Sequence, residues 1–201
     1  MNKEQFLQIV AELKERRNVE FKQSTAWEGA EWKAKIVKAV LGLSNVRDGG
    51  WIVIGIPRKA DGSYELSGME AAHLITYDED TLNSNVAVYA DPYAKLSLDK
   101  VNVDGKDFVV IGVKEFDEIP VICKKNGLEK LRKGVIYTRS YRIPETVEMP
   151  SQTEMREVVE MATDKAARKF IQRMVRAGIV KFMTAAPRDE DRFEKQIEDL
   201  R

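Results

Sequence analysis

A short apolar run is the feature that most limits how this 201-residue chain can fold. Residues 51–56 read WIVIGI, and they follow two glycines, Gly49 and Gly50. Successive residues of a strand point to opposite faces of a sheet, so a strand that is apolar throughout is stable only when both faces are covered. The sequence therefore predicts a buried central strand with packed elements on both sides of its sheet.

The segments around this strand predict a mixture of helices and strands. Apolar residues recur at helical spacing in 3–17 and 30–44, whereas residues 19–22 alternate between apolar and charged side chains. An Asp-Gly pair at 104–105 lies between two alternating segments, which is typical of a β-hairpin with a type I′ turn. We therefore expect an α+β fold, in which helices pack on a mixed sheet.

A capping box at residues 151–154 marks the start of a long amphipathic helix. The predicted organisation is a core domain at 1–150, a C-terminal helix at 151–186 and a charged tail at 187–201. A long helix with one apolar face needs a partner, which is either its own core domain or a second copy of the chain.

Composition excludes several classes of protein. No apolar run approaches the roughly 18 residues of a membrane span, and the N-terminal segment does not resemble a secretory signal. Cys123 is the only cysteine and His73 the only histidine, so the chain has no internal disulfide and no zinc site built from several of these residues. These observations favour a cytoplasmic protein. Basic and acidic residues number 33 each, so any nucleic-acid-binding surface must be local.

Two glutamates and a lysine form the first candidate site. Glu15 is expected at the end of the first helix, and Glu20 and Lys22 share the outer face of the next strand. Carboxylates suit Mg²⁺ or Mn²⁺, and a nearby lysine can neutralise charge on a phosphate under attack. The pattern fits a metal-dependent nuclease. It also fits ordinary solvated charges at the edge of a sheet, since short patterns of this kind are common.

The densest basic region lies between residues 124 and 142, where seven lysines and arginines surround Tyr137 and Tyr141. Such a mixture suits a phosphate backbone and stacked bases, although a solvated hairpin face would have a similar composition. The chain lacks the glycine-rich signatures of Rossmann and P-loop nucleotide sites.

Several of these features occur together in an order that resembles the Schlafen core domain, also called the AlbA-like DNA-binding or divergent ATP-binding domain. The matching motifs are ERRNVEFK at 15–22, GGWIVIGI at 49–56 and KGVIYTR at 133–139, followed by the helix start at 151–154. The resemblance covers residues 10–160, roughly, and it carries more weight than any one motif because the order agrees.

The resemblance implies an α+β domain associated with nucleic acid, which in some members is a metal-dependent ribonuclease acting on structured RNA such as tRNA. In those members two glutamates correspond to Glu15 and Glu20, and a third carboxylate follows the central strand. This sequence has Arg58 and Lys59 near that position, and its nearest acid is Asp61. The resemblance therefore implies a Mg²⁺ or Mn²⁺ site formed by Glu15, Glu20 and Asp61, with basic side chains where a ligand is expected.

Our first hypothesis is a nucleic-acid-binding domain that prefers RNA to DNA, with metal-dependent endoribonuclease activity in which Lys22 stabilises the scissile phosphate. The residues expected to contact nucleic acid are Arg58, Lys59, Lys133, Tyr137, Arg139 and Arg142. The alternative is a non-catalytic module that binds nucleic acid or a protein and forms a homodimer through the C-terminal helix. The family suggests a role in defence against phage, and the sequence leaves open whether the protein is an enzyme.

Overall fold

The structure is a computed structural model that describes residues 1–179. Five helices and eight strands occur in these residues. In chain order they are α1 (Lys3–Val10), β1 (Val19–Lys22), α2 (Ala30–Ser44), β2 (Gly50–Ile54), α3 (Ala71–Leu74), α4 (Glu79–Ala87), β3 (Ala90–Asp91), β4 (Leu96–Val103), β5 (Lys106–Val113), β6 (Ile122–Cys123), β7 (Tyr137–Arg139), β8 (Thr146–Glu148) and α5 (Gln152–Arg176).

The central sheet has four strands in the order β1-β2-β5-β4. Strand β1 runs parallel to β2, and the other two pairs are antiparallel. Two short antiparallel pairs, β3-β6 and β7-β8, complete the set of strands. The predicted α+β class, with a mixed sheet and a long C-terminal helix, is confirmed.

Strand β2 is buried on both faces, as its apolar sequence requires. Ile52, Val53 and Ile54 are each 0% exposed. Ile52 and Ile54 belong to the core that includes Leu41 of α2, whereas Val53 belongs to a second core that includes Phe6 of α1. Burying a side chain of this size contributes about 1.5–3 kcal/mol to stability. Because its side chains alternate between the two cores, β2 joins them.

The two glycines before β2 are required by the backbone. Gly49 has a φ of 68°, a left-handed conformation that side chains with a Cβ rarely adopt. A Cβ at Gly50 would lie 2.3 Å from the carbonyl oxygen of Asn18, on the chain that leads into β1. The pair therefore lets β1 and β2 approach closely. The Asp104-Gly105 hairpin is also confirmed, since both residues have the positive φ of a type I′ turn.

The first helix is shorter than predicted. It ends at Val10 instead of continuing to residue 17. Leu13 has a positive φ of 43°, and the backbone groups of Arg16 and Val19 exchange hydrogen bonds of 3.1 and 3.0 Å. This turn directs the chain into β1, so Glu15 lies in a loop beside the strand and not at the end of a helix.

Asn45, at the end of α2, joins three segments of the core. It is 0% exposed, and its Nδ2 donates to the carbonyl oxygens of Leu41, Val121 and Tyr137 at 3.2, 2.8 and 2.9 Å. Its Oδ1 accepts the backbone N–H of Val121 at 2.8 Å. A buried amide with all these partners satisfies backbone groups of three separate segments.

We expect Asn45→Ala to lower the free energy of unfolding by about 3 kcal/mol, because it leaves several buried backbone groups without a partner. Urea denaturation measures this change. The control is Asn102→Ala on the exposed surface of the β4-β5 hairpin, for which we expect a loss below about 1 kcal/mol. Equal losses for the two variants would contradict the role given to Asn45.

The start of α5 is fixed to the core by apolar contacts and one ion pair. Val158 and Met161 are 1% and 2% exposed. The guanidinium of Arg17 binds both carboxylate oxygens of Glu157, at 2.9 and 2.5 Å, and lies 3.7 Å from the ring centroid of Tyr141. Burial acts to raise the pKa of Glu157, but the hydrogen bonds and charge of Arg17 outweigh it, so the pKa lies below its ordinary value.

The lowered pKa of Glu157 predicts an acid-sensitive contribution to stability. It is present above the ordinary pKa of 4.5 and is lost as the pH falls below that value, because the unfolded state then binds the proton first. Glu157→Gln should therefore reduce the free energy of unfolding near pH 7 and weaken its decrease at acid pH. Urea denaturation over a pH series measures both effects. The exposed Glu160→Gln on the same helix should leave the pH profile unchanged.

The chain separates into two compact units, residues 1–163 and 164–201, with the boundary inside α5. Of the second unit, the structure describes the continuation of α5 to Arg176 and a turn ending at residue 179. The predicted charged tail at 187–201 and the end of the predicted segment 151–186 lie outside the described residues. Within residues 1–179, none of the helices is long and apolar enough to cross a membrane.

Candidate nucleic-acid interface

A groove of about 360 Å³ lies in the first unit between β1, α2 and the β7-β8 pair. Four of the predicted site residues line it: Glu15, Glu20, Lys22 and Arg139. Its other charged lining residues are Lys35, Lys38, Glu129 and Glu145. We call this feature the charged groove. The structure thus brings together the two glutamates, the lysine and one arginine that sequence analysis selected.

Arg139 is buried at the base of the charged groove. It is 1% exposed, and its Nη1 donates to Glu20 Oε2 at 2.6 Å. Its other nitrogens donate to the carbonyl oxygens of Arg16, Arg17 and Val19 at 3.1–3.4 Å. All of these partners belong to the protein itself. The structure therefore places Arg139 in the core and not on the predicted nucleic-acid-binding surface.

Glu20 is held by two cations. Its Oε1 lies 2.5 Å from the ammonium of Lys22, while Oε2 is bound by Arg139. Lys22 was expected on the same face as Glu20, and the ion pair agrees with that expectation. Glu20 was expected to point outward into solvent, yet it is only 8% exposed, and Arg139 of β7 binds its carboxylate.

Glu15 has partners from the strand and from a neighbouring loop. Its Oε1 accepts the backbone N–H of Phe21 at 2.8 Å. Burial raises the pKa of Tyr64 to about 12, and the charge of the adjacent Glu15 carboxylate adds to the effect. The ring of Tyr64 also packs edge-on against that of Phe21, with 5.2 Å between the ring centroids. No sequence signal distinguishes Tyr64 from other tyrosines, because only the fold brings its loop to Glu15.

Asp61 lies apart from the two glutamates. It is exposed, and its Oδ1 accepts from the backbone and hydroxyl of Ser63 at 2.9 and 2.6 Å. These hydrogen bonds lower the pKa of the Asp61 carboxyl. Among residues 1–179, no three His, Cys, Asp or Glu side chains come close enough to hold a metal ion. Each Glu20 oxygen is paired with a protein cation, so a Mg²⁺ or Mn²⁺ site formed by Glu15, Glu20 and Asp61 stays a prediction.

Two lysines of α2 complete the cationic side of the charged groove. The ammonium of Lys35 lies 3.6 Å from the carboxylate of Glu129, and that of Lys38 lies 5.7 Å from the ring centroid of Tyr137. In the part of the chain that the structure describes, no carboxylate forms an ion pair with Lys38. Sequence analysis did not select these lysines, although their position off the apolar face of α2 was a usable signal.

Exposed cations follow strand β6 in residues 124–133, which we call the basic segment. It contains five exposed basic residues and one acidic residue, Glu129; the basic ones are Lys124, Lys125, Lys130, Arg132 and Lys133. Lys133 was among the predicted nucleic-acid contacts. Because Glu129 lines the charged groove and pairs with Lys35, the basic segment borders the groove directly.

The other predicted contacts are divided between the surface and the core. Arg58, Lys59 and Arg142 are exposed but do not line the charged groove, and Lys59 pairs with Glu65 at 3.2 Å. Tyr137 is 0% exposed, so its ring has no face available for stacking on a base. Its burial follows from its position on β7, where it packs in the same core as α2.

The ion pair of Glu20 and Arg139 predicts a large effect of removing one partner. Glu20→Gln should lower the free energy of unfolding by about 3–5 kcal/mol, because it leaves a buried guanidinium without its counter-ion. Replacing both partners, as Glu20→Leu with Arg139→Met, should be less destabilising than the single change.

Urea denaturation of these variants tests that prediction. The control is Glu65→Gln, which removes an exposed ion pair and should cost less than about 1 kcal/mol. If Glu20→Gln were as stable as the wild type, the ion pair would have no structural role.

Comparison with known proteins gives one family match. The sequence model of a family described as Schlafen, AlbA_2 matches residues 15–146. No protein with a curated description matches.

Two solved structures are similar to this chain. A protein from Corynebacterium diphtheriae has 17% identity and a TM-score of 0.46, over 73% of this chain and 26% of its own. The N-terminal domain of a RecG-related protein from Nitrosomonas europaea has 19% identity and a TM-score of 0.44, over 66% of this chain and 87% of its own. The chain thus spans about a quarter of the Corynebacterium protein.

Proposed function

The chain belongs to the Schlafen AlbA_2 family, and we propose that it is a nucleic-acid-binding domain that prefers RNA and binds without a divalent metal ion. The observation that carries the proposal is the basic segment beside the charged groove. Of its five exposed cations, Arg132 is paired with Glu148, and the other four, all lysines, form a local positive surface on a chain whose net charge is zero.

The basic segment and α2 supply cations to one continuous surface. Lys35 reaches Glu129 of the segment, and Lys38 lies over Tyr137, whose hydroxyl contacts the segment backbone. A phosphate backbone that crosses this surface would meet cations from two elements in succession. Each phosphate neutralised by lysine or arginine releases bound counter-ions, so affinity would fall steeply with salt.

The arrangement of the carboxylates favours nucleic-acid binding over metal-dependent cleavage as the proposed function. Glu20 is bound by Arg139 and Lys22, so its charge is already compensated within the protein. Asp61 is held by Ser63 in an exposed loop. Cleavage by Glu15, Glu20 and Asp61 with Mg²⁺ or Mn²⁺ stays a prediction, and the preference for RNA rests on the family resemblance alone.

A binding experiment tests the proposal. Wild-type protein is titrated with a folded tRNA, a single-stranded RNA and a duplex DNA over a series of salt concentrations, with Mg²⁺ or with chelator. We expect the tightest binding to tRNA, a steep salt dependence and no effect of chelator. Failure to bind any of the three nucleic acids would contradict the proposal.

Charge variants locate the interface. Lys124→Gln, Lys130→Gln and Lys133→Gln together should weaken binding and reduce the slope of log K against log salt by about 2–3, which corresponds to three lost phosphate contacts. The matched control makes the same change at three exposed lysines elsewhere: Lys95, Lys100 and Lys114. Equal losses of affinity in the two triple variants would show that binding does not depend on the basic segment.

The same titrations test cleavage. Gel analysis of the RNA would reveal metal-dependent products if the nuclease prediction were right, and Asp61→Asn would abolish them. Intact RNA under all metal conditions would exclude that activity on these substrates.

Self-association through α5 also stays a prediction, and a measurement of the mass in solution decides it.

A further inference from the structure

We infer that Tyr137 is a positioning residue that fixes the basic segment in its binding conformation. This inference rests on the proposed function and adds a structural reason for the affinity of the basic segment for nucleic acid. Tyr137 cannot contact nucleic acid directly because it is 0% exposed, yet its hydroxyl is bonded to two residues of the basic segment.

The hydroxyl of Tyr137 makes one hydrogen bond in each direction. It accepts the backbone N–H of Arg132 at 2.9 Å and donates to the carbonyl oxygen of Lys130 at 2.6 Å. The two bonds bracket Leu131, which is 1% exposed. The centre of the segment is therefore attached to the core through the phenol and the buried leucine, while at its start Lys124 donates its N–H to the carbonyl oxygen of Tyr89 at 2.7 Å.

The conformation that these bonds hold is unfavourable by itself. Glu129 and Lys130 have φ angles of 55° and 60°, a left-handed conformation that costs residues other than glycine about 1 kcal/mol or more each. Two such residues in succession persist only where the surrounding structure fixes them. The hydrogen bond from Tyr137 to the Lys130 carbonyl acts on this pair directly.

Further backbone contacts close the ends of the segment. Gly127 donates its N–H to the Leu131 carbonyl at 2.9 Å, and Lys133 donates its N–H to Asn126 Oδ1 at 2.8 Å. These contacts join residues of the segment to each other, whereas Tyr137 joins its centre to β7. Loss of the phenol would thus free the centre and leave the ends in place.

A fixed segment binds phosphates more tightly than a mobile one, because less conformational entropy is lost on binding. If the binding-competent conformation became populated only about one tenth of the time, the apparent Kd would rise about tenfold. The number of phosphate contacts would not change, because every cation is still present. Affinity and salt dependence therefore separate a positioning residue from a contact residue.

The test is Tyr137→Phe, which keeps the ring and removes the hydroxyl. The expected result is a Kd for tRNA about tenfold higher with an unchanged salt slope, together with faster amide exchange at the centre of the segment, in residues 129–132. By contrast, the triple lysine variant should reduce the slope.

The matched control is Tyr77→Phe. Tyr77 is 2% exposed, and its hydroxyl also makes two hydrogen bonds, accepting from Trp32 Nε1 and donating to the Thr25 carbonyl oxygen, both at 2.9 Å. Neither of these two hydrogen bonds involves a residue of the basic segment. We expect Tyr77→Phe to lower stability as much as Tyr137→Phe does, but to leave the Kd and the amide exchange of residues 129–132 unchanged.

Three results would overturn the inference: wild-type affinity in Tyr137→Phe, a reduced salt slope in that variant, or an equal loss of affinity in Tyr77→Phe. Absence of nucleic-acid binding by the wild type would overturn the proposed function as well. Tight binding by the wild type with no effect of Tyr137→Phe would overturn only the positioning role. The two failures are therefore distinguishable.

Discussion

The buried ion pair between Arg139 and Glu20 is the contact on which the arrangement of the site depends. Arg139 lies on β7 and Glu20 on β1, and the guanidinium also binds carbonyl oxygens of the turn that precedes β1. These groups would be costly to bury singly, since each would lose its hydration without compensation. Together they attach the β7-β8 pair to the edge of the central sheet, and this attachment forms one wall of the charged groove.

The same pair decides what the carboxylates can do. Arg139 binds one oxygen of Glu20, and Lys22 compensates the other. Glu15 is bonded to the strand backbone, and Asp61 to its own loop. Each of these three carboxylates thus has partners within the protein, and two lysines of α2 border the groove that Glu15 and Glu20 line.

Local predictions agreed with the structure where short-range chemistry decides the outcome. Helix α2, the hairpin at Asp104 and the buried strand β2 follow from periodicity and turn preference. The end of α1 did not follow, because the turn between Arg16 and Val19 overrides a continuing helical pattern. Arg139 and Tyr137 have the composition of a basic, aromatic surface, and nothing in the sequence distinguishes a buried arginine with a partner from an exposed one.

The sequence by itself determined the family, the α+β class, the central strand and the position of Glu20 and Lys22 on one face. These depend on residue order and on spacing within single elements. Tertiary structure decided the partners: Arg139 for Glu20, Tyr64 for Glu15, and Tyr137 for the basic segment. Each of these contacts joins residues far apart in the chain. Whether a charge is buried, paired or free depends on such contacts, because solvation is a property of the folded environment.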